Sequence, residues 1–138
     1  MDNNRLKAYR ETQIKTATPG KLIIMLYDGA IKNVRNAISL IEEKSKKFDA
    51  VNNHIIKAQD IISELMVSLN FEEGGEIAKN LFSLYMYMNK QLLEANLKKD
   101  IEPLKEVQRH LSELREAWAQ IDSKPAASSV SGGINIAG

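Results

Sequence analysis

Residues 18–41 read TPGKLIIMLYDGAIKNVRNAISLI, and the apolar rhythm of this stretch decides the fold. Ile23, Tyr27, Ala30, Val34, Ala37 and Ile41 follow one another at steps of 4, 3, 4, 3 and 4. Alternating threes and fours hold an apolar stripe on one side of a helix and turn it toward partner helices. Thr18 suits the N-cap, and Pro19 suits the first helical position, where its missing N–H leaves nothing unpaired. Gly29 sits mid-helix, where it costs about 1 kcal/mol relative to Ala. Close approach of a neighbouring helix is the expected reason, with simple tolerance as the alternative.

The rhythm returns three times along the chain. Val51, Ile55, Ala58, Ile62, Leu65 and Leu69 form a second stripe; Ile77, Leu81, Leu84, Met88, Leu92 and Ala95 a third. Leu104, Val107, Leu111, Leu114, Trp118 and Ile121 form the fourth. No segment sustains period-2 alternation, so no strand is expected. Gly74-Gly75 is expected to break the chain between the second and third helices. Asp100 suits the N-cap of the fourth, with Pro103 in its first turn. The links near 44–49, 70–75 and 98–100 are short. Short links between helices of similar length favour antiparallel neighbours, hence an all-α, antiparallel up-down-up-down four-helix bundle over 18–122. Residues 1–17 form a polar N-terminal arm that carries Leu6, Tyr9 and Ile14. Residues 123–138, SKPAASSVSGGINIAG, have the composition of a flexible C-terminal tail.

Composition narrows the function. The chain has 138 residues, enough for one domain with a sizeable core. Lys and Arg number 19 against 18 Asp and Glu, which argues against a partner bound by broad phosphate neutralisation, so no nucleic acid is expected. There is no cysteine, which excludes disulfides, thiolate nucleophiles and zinc fingers. The N-terminus lacks the apolar core of a secretory signal. The longest apolar run, Leu22 to Tyr27, is far short of the roughly 20 residues of a membrane helix. A cytosolic protein without membrane insertion is expected.

Catalytic and cofactor motifs are missing. A di-metal bundle site needs Glu-x-x-His pairs, but Val51 and Val107 stand three residues before His54 and His110. Gly74-Gly75 lacks the strand, Lys and Ser/Thr of a phosphate loop. No enzyme activity, metal or cofactor is expected. One motif offers a rival. His54-Ile55-Ile56-Lys57 is an H-x-x-K on the second helix, the setting of a phosphorylated histidine in phosphotransfer domains. Those domains usually place Gly after the Lys; Ala58 stands here. An ordinary rim histidine is the plainer assignment.

Apolar residues exceed what one stripe per helix requires. Residues 22–27 read LIIMLY, and residues 81–88 read LFSLYMYM. Ile31, Ile38, Ile56, Ile61, Met66 and Leu93 also lie off the seams. Wider stripes absorb part of this surplus. The remainder suits a helix-in-groove partner, since Met repacks easily and Tyr carries a polar tip. The arm, with Leu6 and Tyr9, would cover such a groove when it is empty.

These residues are similar to a known family. The chain resembles the flagellar secretion chaperone FliS family, the export chaperones of flagellin. The resemblance runs from about residue 5 to 122. It rests on KAY at 7–9, TATPGKLIIMLYDGA at 16–30, FEEGGEIAKNL at 71–81, LYMYM at 84–88, LLEANL at 92–97 and AW at 117–118. Thr18 stands where Ser is common before the Pro, and Met86 where Asp is common between the tyrosines. The resemblance implies a bacterial cytosolic protein that binds the C-terminal helical segment of flagellin and prevents premature polymerisation. It also implies delivery to the export gate of the flagellar type III apparatus without nucleotide. The expected client contacts are Leu6 and Tyr9 in the arm, Ile23, Ile24 and Tyr27 in helix 1, and Leu81, Tyr85 and Met88 in helix 3. Each has a core packing role as its alternative. A third possibility is a structural bundle that self-associates through the same faces, because four helices of equal length also permit swapping into a homodimer.

Overall fold

The computed structural model describes residues 19–123. They form four helices: α1 (Pro19–Glu42), α2 (Phe48–Val67), α3 (Phe71–Lys98) and α4 (Ile101–Asp122). No strand occurs among the described residues. α1 packs against α2 and α4, and α3 packs against the same two, so the helices close a ring in chain order. Facing pairs show the directions. Gly29 meets Ile61 and Asn33 meets His54 across α1 and α2. Asp28 meets Arg115 and Glu42 meets Lys105 across α1 and α4. Asn52 meets Lys99 and Ser63 meets Asn89 across α2 and the α3 end. Numbers climb on one helix as they fall on its neighbour, which is the antiparallel bundle the stripes predict.

Helix ends follow their caps. Pro19 opens α1 as expected; Thr18 lies outside the described residues. The Asn70 side chain accepts from the Glu73 N–H at 3.1 Å, and Asp100 accepts from the Glu102 N–H at 3.0 Å, each satisfying an orphan donor. Lys99 ends α3 in the left-handed conformation, with its N–H bonded to the Ala95 carbonyl. Its ammonium then donates to Asn52 Oδ1 and to the carbonyl and side-chain oxygens of Asn96, each at 2.6 Å. This ties the α3 C-terminus to α2.

The third helix departs from expectation at its start. It begins at Phe71, ahead of the glycine pair, and bends inside the helix at Gly75 (φ 50°, ψ −126°). Gly tolerates that backbone because it has no Cβ. The first half of the stripe is displaced as well, while Met88, Leu92 and Ala95 stand as expected. Gly74, Ala78, Tyr85, Met88, Leu92 and Ala95 are buried, whereas Ile77 is 54% exposed and Leu81 and Leu84 are half-buried. Residues 77–88 are apolar on too many sides for hydrophobicity to mark the phase, and Ala78, Tyr85 and Met88 are the ones that turn inward.

The other stripes stand nearly as read. Ile23, Tyr27, Ala30, Val34 and Ala37 are buried on α1; Val51, Ile55, Ala58, Ile62 and Leu65 on α2; Leu104, Val107, Leu111 and Trp118 on α4. Ile41, Leu69, Leu114 and Ile121 are half-buried at the ends or flanks. Each fully buried aliphatic side chain contributes about 1.5–3 kcal/mol. Gly29 has the role expected of it: a Cβ there would stand 3.2 Å from Ile61 Cδ1, so α2 approaches α1 closely at this point.

Candidate partner-binding groove

The run LIIMLY at 22–27 is split by the helix turn. Ile23 and Tyr27 point into the core, while Leu22, Ile24, Met25 and Leu26 are half-buried. On the α2 side, this half of α1 faces the last turns of that helix, and an open groove of about 560 Å³ lies between them. Pro19, Leu22, Ile23 and Leu26 line it from α1; Asp60, Ser63, Glu64, Val67 and Ser68 line it from α2. Val67 is 85% exposed at its edge. Leu22, Leu26 and Val67 are thus groove residues that the sequence reading did not single out. The apolar run at 22–27 marked the α1 wall, but nothing in the α2 sequence marks the opposite one.

The core holds a polar contact. The Tyr27 and Tyr85 hydroxyls hydrogen-bond to each other, joining α1 and α3 across the bundle. Burial, reinforced by Tyr85, pushes the Tyr27 phenol far above its ordinary range; the Trp118 indole acts in the opposite direction. Burial also raises Tyr85, while Tyr27 opposes that rise. Both phenols are therefore neutral at physiological pH, and each keeps a partner out of reach of water.

The expected contact residues fall into separate environments. Leu6 and Tyr9 lie outside the described residues. Ile23 is 6% exposed and lines the groove floor. Ile24 and Leu81 are half-buried and pack against the core. Tyr27, Tyr85 and Met88 are in the core itself and present almost no surface. The surplus at 81–88 divides accordingly: Met86 and Tyr87 are exposed, and the Tyr87 hydroxyl donates to the Glu106 carboxylate at 3.0 Å. Among the other off-seam residues, Ile31 and Ile38 widen the core stripe, Ile61 and Met66 pack against it, and Ile56 and Leu93 are exposed.

His54 lies at the α1–α2 contact. It is half-buried, and its Nδ1 is 3.0 Å from Asn33 Oδ1; Asn33 Nδ2 in turn donates to the Gly29 carbonyl at 2.9 Å. Burial lowers the His54 pKa, and Lys57 and Lys32 lower it further. A neutral imidazole donating from Nδ1 fits this arrangement and ties the two helices together. No helix among the described residues is long and apolar enough to cross a membrane.

The profile of a family described as Flagellar protein FliS matches residues 1–125. The chain is 39% identical over 132 residues to the "Flagellar secretion chaperone FliS" of Bacillus subtilis, covering 95% of this chain and 96% of that protein. It is 40% identical over 124 residues to the Salmonella typhimurium protein of the same name, covering 86% and 90%. The Vibrio cholerae protein of that name is 35% identical over 120 residues, covering 84% and 87%.

Proposed function

The chain belongs to the FliS family of flagellar proteins, and from that membership we propose a cytosolic export chaperone for flagellin. It binds the C-terminal helical segment of flagellin, prevents that segment from polymerising early, and hands the subunit to the flagellar type III export gate. The role is one of covering a surface, with no catalysis. The observation that carries this proposal is the open groove of about 560 Å³ between α1 and α2, walled by Leu22, Ile23, Leu26 and Val67. An amphipathic helix recognised through its apolar face needs such a groove. Residues 1–17 act as an arm, 18–122 as the body and 123–138 as a tail.

The client gains buried apolar area in the groove and loses conformational entropy as it orders. The expected result is a complex between this chain and the flagellin C-terminal peptide from the same genome, seen by calorimetry and gel filtration. Absence of binding at tens of micromolar would sink the proposal. Light scattering of the client-free chain tests the self-association alternative: a monomer at high concentration removes it.

A further inference from the structure

The groove has one apolar wall and one charged rim. Its α1 side offers Leu22 and Leu26; its α2 side carries Asp60 and Glu64, and no basic side chain lines it among the described residues. The two carboxylates are four residues apart, so they stand one above the other on the exposed face of α2. Neither is in an ion pair among the described residues. Lys57, three residues before Asp60, lies outside the groove lining and acts on His54.

We propose that Asp60 and Glu64 select the occupant of this groove: a client helix with Lys or Arg four residues apart beside its apolar stripe. The proposal rests on the flagellin-chaperone function above and adds its selectivity. The apolar wall takes the stripe of any amphipathic helix. The carboxylate pair then discriminates by charge. A docked helix displaces water from the rim and lowers the local dielectric, which strengthens attraction to a cation and repulsion of an anion. Charges on one rim alone also fix which edge of the client lies against α2, and they steer encounter. The chain's own residues 5–10, RLKAYR, carry a similar basic-apolar chemistry, which makes the arm the rival occupant.

The test titrates the flagellin C-terminal peptide into the full chain and into the double variant Asp60→Asn/Glu64→Gln, at about 50 mM and about 500 mM salt. Glu113→Gln, an exposed carboxylate on α4, serves as control. The expected result is a Kd about 3- to 10-fold weaker for the double variant at low salt, with the difference closing at high salt. The control and all melting curves should match the parent. Equal affinity of parent and double variant at low salt overturns the selectivity and leaves the chaperone function standing. Tighter binding by the double variant also overturns it, since that marks the arm as the partner of the carboxylates. Failure of the parent itself to bind removes the chaperone function together with the proposal.

Discussion

The hydroxyls of Tyr27 and Tyr85 hydrogen-bond to each other inside the bundle, joining α1 to α3, two helices that are not neighbours in the ring. Each satisfies the other where water does not reach. The core is otherwise apolar among the described residues. The pair therefore links α1 and α3 across the bundle.

Removing the Tyr27 hydroxyl leaves that of Tyr85 unpartnered. Tyr27→Phe is expected to lower stability by about 1–3 kcal/mol, the cost of an unsatisfied buried hydroxyl. Tyr27→Phe/Tyr85→Phe should recover part of that loss, because the orphaned Tyr85 hydroxyl is removed as well. Urea denaturation of the two single variants and the double variant measures the coupling. Additive losses would show that the hydroxyls do not depend on each other.

The same pair shapes the alkaline limb of the stability profile. Folding raises both phenols above their ordinary value of about 10. Above that pH the unfolded chain releases phenolic protons that the folded chain retains, so the unfolded state binds fewer protons and stability falls as pH rises. Below about pH 10 both states are protonated and the contribution is constant. The fall between about pH 10 and 11 should be shallower in Tyr27→Phe/Tyr85→Phe, measured by denaturation at stepped pH. An unchanged slope would place the alkaline sensitivity elsewhere.

Gly75 tests backbone strain in isolation. A Cβ at this position would meet nothing within 4 Å, yet φ is +50° with ψ −126°. Gly75→Ala should therefore destabilise by about 1–3 kcal/mol through conformation alone. Thermal melting measures it. A neutral result would mean that the start of α3 reshapes without cost.

Val67 separates binding from folding. It stands at the groove edge and is largely exposed. Val67→Glu is expected to leave the melting curve within about 0.5 kcal/mol of the parent. The flagellin peptide should bind roughly tenfold more weakly, from loss of an apolar contact of about 1.5 kcal/mol. Calorimetry beside melting distinguishes the two. Unchanged affinity would place the client elsewhere on the bundle.

The sequence by itself determined the four helices, their antiparallel order, the cap at Asp100 and most of the core. Those features depend on local chemistry and on a 3.6-residue period that 18–41, 51–69 and 104–121 state without ambiguity. Tertiary structure alone decided the phase of α3, where Ile77 is exposed and Ala78 and Tyr85 are buried. It also moved Tyr27, Tyr85 and Met88 from a candidate surface to the core, and it made Val67, Asp60 and Glu64 the far wall of the groove. The physical reason is the same in each case. Periodicity tells which side of a helix is apolar, but where a run is apolar on every side, only the neighbouring helices determine which residues are covered. A groove is a property of two helices, and neither sequence segment contains it.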